Sequence, residues 1–178
     1  MTPPQPPSFD RLNAREIVLI RRVAHGCRRP AVRWLAMAVN RLGDGGIYLV
    51  IALGLLLFEG RGSLKPLLAS LLSAGLAFCA YLPMKRFLGR ARPCDFDPTI
   101  ASQALALDRY SCPSGHLMTV VAAGLPLGQS YPALMPLLLL SAALIAWARL
   151  ALAHHYTTDL VAGALLGLAA AGTVAALT

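Results

Sequence analysis

Charge is scarce in this chain, and acidic charge is scarcest: 13% of its 178 residues are charged, with eight Asp plus Glu against sixteen Lys plus Arg. Together with 57% hydrophobic residues and a positive mean hydropathy, that scarcity excludes both an ordinary soluble globule and a disordered chain. One compact membrane domain fits instead. Low-complexity tracts and long internal repeats are missing, and so are an HExxH pair, a paired CxxC and a clustered acidic motif. The four cysteines have no metal-type spacing. The opening MTPPQPPSFD is polar and Pro-rich, without the apolar core and cleavage site of a secretory leader, so no processed leader is expected. Residues 1–12 are expected to form a flexible tail ahead of a single membrane-embedded domain over 13–178.

The excess of basic residues gives a net charge of +8. In a soluble protein this would suggest nucleic acid, but half of the Lys and Arg residues precede Gly45, beside segments of helical amphipathic pattern. Membrane lipids with anionic headgroups are the expected partner, and nucleic acid is not.

What the chain has in abundance is long apolar runs. Ile47–Phe58, Leu64–Met84, Leu117–Tyr131, Ala133–Leu152 and Leu160–Leu177 approach the roughly 20 residues of a helical span, and flanking Gly, Ser and Thr can complete the shorter ones. The segment Ala14–Arg29 mixes apolar and basic residues at helical spacing and suits the membrane interface. Arg28–Leu42 resembles it, and the two segments could instead form one tilted span interrupted near Pro30. The expectation is an all-α integral membrane protein, a bundle of five to six transmembrane helices with an N-terminal amphipathic helix. Spacings such as Gly163 to Gly167 suit closely packed helices.

Polar residues interrupt this pattern in three clusters: Lys85–Pro93, Pro113–His116 and Arg149–Asp159. Each lies at the end of an apolar run, where ionisable groups are costly and so suggest function. Span parity brings the three to one face of the membrane. Lys85, Arg92 and Arg149 then offer cations that match an oxyanion, Arg as a rigid fork and Lys as a compact charge. Arg86 and Arg90 are read as side chains reaching from helix ends towards water. Ser114 and Gly115 open a span, so free backbone N–H groups of the first turn face the same place. His155 and Asp159 are four residues apart and share a helix face if the helix begins early enough. A carboxylate on one imidazole nitrogen leaves the other free to attack, which makes His155 the candidate nucleophile and His116 the proton donor. His154 lacks that spacing. A metal held by Cys112, His116, His154, His155 and Asp159 is the rival use of these groups, which crowding by cations disfavours.

The run from Lys85 to Pro93 fits KxxxxxxRP, Pro113–His116 fits PSGH, and Arg149 through His155 to Asp159 fits RxxxxxHxxxD. In that order the three motifs resemble those of the type 2 phosphatidic acid phosphatase superfamily. The resemblance implies a membrane-embedded lipid phosphatase in which His155, oriented by Asp159, attacks phosphorus and forms a phosphohistidine. It also implies that Lys85, Arg92, Ser114, Gly115 and Arg149 hold the phosphate, that His116 protonates the leaving oxygen, and that no metal or other cofactor is needed. The third motif of the family usually begins with Ser, and here Ala148 stands before Arg149. Three cations and a helix N-terminus remain, and charge-assisted bonds are the stronger contributors. The implied substrate is a lipid phosphate or pyrophosphate, with undecaprenyl pyrophosphate favoured over phosphatidic acid or phosphatidylglycerophosphate. A lipid phosphotransferase and a catalytically silent lipid-binding protein are the alternatives of another class. The implied location is the bacterial inner membrane with the site facing the periplasm. There Cys94 and Cys112 would meet an oxidising compartment, and a disulfide between them and two free thiols are both open.

Overall fold

A computed structural model describes residues 7–100 and 108–178 of the chain, and all the regular structure among them is helical. Eight α-helices follow in order: α1 (Pro7–Gly26), α2 (Pro30–Leu42), α3 (Gly46–Glu59), α4 (Leu64–Leu88), α5 (Pro93–Phe96), α6 (Gly115–Ser130), α7 (Met135–Ala151) and α8 (Thr157–Leu177). Every long apolar run of the sequence forms a helix. The stretches Gly46–Phe96, Pro132–Ala151 and Thr157–Leu177 are long and apolar enough to cross a membrane. Their outer faces carry large exposed side chains such as Leu57, Phe58, Leu71, Leu139 and Leu165, a surface suited to lipid rather than water. The protein is an all-α membrane bundle.

One expectation for the N-terminal part is corrected, and one alternative left open by the sequence is resolved. Part of the expected tail 1–12 lies outside the described residues, but from Pro7 the chain is already helical. Proline suits a first turn because its missing N–H has no helical partner there, and Asp10 complements the positive helix start. The two basic amphipathic segments are separate helices, not one tilted span. Pro30 holds Arg29 extended at ψ 122° and then opens α2.

The core of the bundle is α4, α6 and α8, packed against one another, with α7 on α6 and α2 on α7. Close approach of α6 and α8 depends on glycine. A Cβ at Gly163 would overlap the Ser114 carbonyl oxygen, and one at Gly167 would stand 2.6 Å from that of Met118. Small residues four apart thus bring two backbones into contact, as their spacing in the sequence suggests.

Gly163→Ala should therefore push α8 away from the start of α6 and cost about 1–3 kcal/mol as an overpacked site. Gly172 is the comparison: a Cβ there would meet nothing within 4 Å, so Ala should be neutral or slightly stabilising. Thermal unfolding of both variants in detergent distinguishes them, and equal melting temperatures would contradict this packing.

Candidate active site

The ends of α4, α6, α7 and α8 meet at one end of the bundle, and a cavity of about 370 Å³ opens between them. Lys85, Asp108, Gly115, His116, Arg149 and His155 are among its walls. The three sequence clusters converge there.

His155 sits in the short link between α7 and α8. The link turns tightly: Ala153 is left-handed at φ 55°, and the backbone N–H groups of His154 and His155 return to the Arg149 carbonyl at 3.0 and 3.4 Å. Arg149 Nη2 lies 2.8 Å from His155 Nε2. On the other side of the ring, Nδ1 stands 3.6 Å from Asp159 Oδ2, a charge contact longer than a hydrogen bond. That same oxygen accepts the Tyr156 backbone N–H at 2.9 Å, so Asp159 caps α8 while facing His155. Burial foremost, then the cations Arg149, Arg92 and Lys85, hold the His155 imidazole well below its ordinary value of 6.5. That direction favours the neutral ring.

The three expected anion-binding side chains are buried around this ring. Lys85 Nζ donates to Tyr81 Oη at 2.7 Å and to Asp108 Oδ2 at 2.8 Å. Arg92 reaches Asp108 Oδ1 through Nη2 at 2.5 Å and the His154 carbonyl through Nη1 at 2.6 Å. Arg149 donates through Nη1 to Asn40 Oδ1 on α2. Asp108 thus bridges two cations. Burial alone would raise its carboxyl, but Lys85 and Arg92 hold it below the usual carboxylate range.

Ser114 precedes α6 in extended conformation, and its N–H donates to the Asp159 carbonyl at 2.9 Å. Its Oγ is buried with no hydrogen-bond partner among the described residues. Gly115 is required by Tyr81, whose hydroxyl would stand 2.9 Å from a Cβ at that position. His116 Nε2 pairs at 2.7 Å with Asp44 Oδ1, in the turn between α2 and α3.

Arg90 differs most from the sequence reading. Instead of reaching towards water, it is fully buried. Its Nη1 donates to Asp159 Oδ1 and its Nη2 to Glu16 Oε2, both at 2.7 Å; Nη1 also reaches Thr158 Oγ1 at 2.6 Å, and Nε reaches Asn13 Oδ1 at 2.9 Å. Its guanidinium carbon lies 4.0 Å from the Tyr156 ring centroid. The available signal lay in α1, where Asn13, Glu16, Ile17 and Ile20 share one helix face that mixes polar with apolar residues. Arg86 is exposed, as expected. His154 contributes its carbonyl to Arg92.

The Cys94–Cys112 bridge is not formed, and both side chains remain thiols. Cys94 packs beside Ile17, Ile20 and Tyr156, whereas the Cys112 thiol turns to Asp159, and burial with that carboxylate pushes it up to about 12. Ala148 belongs to an apolar cluster with Ala36, Val39 and Ile145, so the methyl group serves packing there. Sequence reasoning also missed Tyr81, Asp108, Asn40 and Asp44.

Removing Arg90 leaves the buried Asp159 and the part-buried Glu16 without their main partner, which costs about 3–5 kcal/mol. Arg90→Ala should therefore lower the melting temperature sharply while Arg86→Ala leaves stability within about 0.5 kcal/mol of wild type. Comparable thermal stability of the two variants in the same detergent would contradict the buried network.

Comparisons with known proteins extend the similarity beyond the motifs. None of the curated proteins compared matches the chain in sequence. Aquifex aeolicus LpxE has a similar structure at 22% identity and a TM-score of 0.76, over 90% of this chain and 94% of that one. A transmembrane PAP2-type phosphatidylglycerolphosphate phosphatase from Bacillus subtilis is similar at 20% identity and a TM-score of 0.72, over 93% of this chain and 85% of its own. At such identities the likeness concerns the fold. The family assignment comes from the sequence itself: the model of the PAP2 superfamily matches residues 66–178, a stretch holding all three polar clusters, and the chain belongs to that superfamily.

Proposed function

We propose that the protein is a metal-independent membrane lipid phosphatase that releases inorganic phosphate from a lipid phosphate or pyrophosphate through a phosphohistidine on His155. The observation that carries this reading is a buried imidazole with Asp159 facing one nitrogen and the cationic cavity on the other. As phosphorus approaches, the Nε2 lone pair attacks, and Nδ1 gains positive charge that Asp159 opposes. Arg149, Lys85, Arg92 and the Gly115 N–H at the start of α6 take the equatorial oxygens. The Ser114 hydroxyl supplies a further hydrogen bond where Ala148 offers none. His116 gives its proton to the leaving oxygen, and water then hydrolyses the phosphohistidine. Positioning and fixed positive charge do the work that phosphoryl transfer requires.

Undecaprenyl pyrophosphate is the favoured substrate, presented from a bacterial inner membrane to a periplasmic face. The second reading, a phosphatidylglycerophosphate or phosphatidic acid phosphatase, is favoured by the fold shared with the Bacillus subtilis enzyme. Phosphate release from these three lipids in matched micelles ranks them. Transfer of the phosphoryl group to an added alcohol instead of water would mark a phosphotransferase. No release from any lipid phosphate would remove the phosphatase reading.

His155→Ala should abolish turnover and phosphoenzyme, while His154→Ala, whose side chain has no assigned step, should retain much of both; equal loss would remove His155 from the nucleophile's place. EDTA should leave the rate unchanged. The same imidazole sets the pH dependence. Because attack needs the unprotonated ring and burial lowers its affinity for protons, the acid limb of kcat/KM should lie below pH 6.5. A limb at or above that value in the free enzyme would contradict a neutral nucleophile.

A further inference from the structure

The turn Gly43–Asp44–Gly45 lies outside all three motifs, yet it is shaped around His116. Asp44 Oδ1 is 2.7 Å from His116 Nε2, across 72 residues of sequence. A Cβ at Gly43 would stand 2.8 Å from His116 Cδ2 and 3.3 Å from Ile145 Cδ1, so only glycine leaves room for the ring at its present position. Gly45, at φ 119°, adopts a backbone conformation that side chains disfavour and lets the chain enter α3 directly after Asp44. Asp44 and His116 both border the cavity that holds His155 and Arg149. The site therefore contains two His–carboxylate pairs. Asp159 serves His155, and Asp44 serves His116.

We propose that Asp44 is a positioning residue for the proton donor: it fixes the His116 ring and stabilises the imidazolium that protonates the leaving oxygen. The inference rests on the phosphatase reading above. Lys85 and Arg149 line the same cavity and oppose another positive charge, so a donor imidazolium there needs a carboxylate of its own. An imidazolium carries two N–H protons. Asp44 holds the one on Nε2, and the one on Nδ1 is left to transfer. As the bond between His155 Nε2 and phosphorus forms and the ester P–O bond breaks, the departing oxygen takes the Nδ1 proton and His116 becomes neutral. Water then attacks the phosphohistidine, the P–N bond breaks, and His116 recovers a proton from that water. Asp44 remains a carboxylate throughout.

The leaving group provides the test, because acid assistance matters for an alkoxide and hardly at all for a nitrophenolate. Wild type, Asp44→Asn, Asp44→Glu and His116→Ala are assayed on an alkyl phosphate and on an alkyl-substituted nitrophenyl phosphate of matched chain length. Asp44→Asn should lower kcat on the alkyl ester roughly 10- to 100-fold, a share of what general acid catalysis supplies, with less than about a threefold change on the nitrophenyl ester. KM should stay within about twofold for both, Asp44→Glu should recover part of the loss, and His116→Ala should show the same selectivity more strongly. Equal losses on both esters, or none on either, would overturn the role of Asp44 and leave the phosphatase reading intact. A wild-type protein that melts cooperatively yet hydrolyses neither ester nor any lipid phosphate would overturn both.

Discussion

The ion pair between Arg90 and Asp159 is the contact on which the rest of the site depends. Both groups are fully buried, and a charge in such a place persists only with a partner and hydrogen bonds on its remaining atoms. Arg90 obtains them from α1, through Glu16 and Asn13, and from Thr158 at the start of α8. Glu16 also accepts the backbone N–H and hydroxyl of Thr158. The N-terminal basic helix is therefore no mere membrane-surface attachment. Its Glu16 holds Arg90, which in turn holds the carboxylate facing His155.

A second constraint is the balance of charge within the cavity. Lys85, Arg92 and Arg149 are buried close to one another, where mutual repulsion would be severe without an anion. Asp108 answers part of that demand by bridging Lys85 and Arg92. A single carboxylate held by both shows that the two cations are spaced to share one oxyanion. Arg149 is handled differently: Asn40 and His155, both neutral, take its donors, which leaves its charge available to an incoming group.

Much of the architecture was legible in the sequence because its signals are local. An apolar run of sufficient length forms a helix whatever surrounds it, and Pro30 marks a helix start by its own geometry. The convergence of Lys85, Arg92, His116, Arg149 and His155 followed from span parity, a consequence of counting such runs. What was not legible depends on distant partners. Which arginine in the run from Lys85 to Pro93 is buried is decided by Glu16, 74 residues earlier, and the partner of His116 lies in a turn 72 residues away. Cys94 and Cys112 flank one loop, but their environments, the cluster with Tyr156 for one and Asp159 for the other, are features of packing. Proximity in sequence left a bridge and two free thiols equally open, and both side chains remain thiols.

Helix packing and chemistry meet at the start of α6. The Ser114 N–H donates to the carbonyl of Asp159, and the Ser114 carbonyl faces the bare backbone of Gly163. The same residue, Asp159, thus uses its carbonyl to hold α6 and its carboxylate to cap α8, bind Arg90 and face His155. Separation between the histidine of α6 and the histidine before α8 is consequently set by backbone contact, which yields far less than a flexible side chain would. The two groups proposed to act on opposite sides of one phosphorus atom would require such a fixed distance, since misplacement by an ångström can cost about 10²-fold in rate. Glycine at 163 is, for that reason, as much a determinant of the site as the residues that line it.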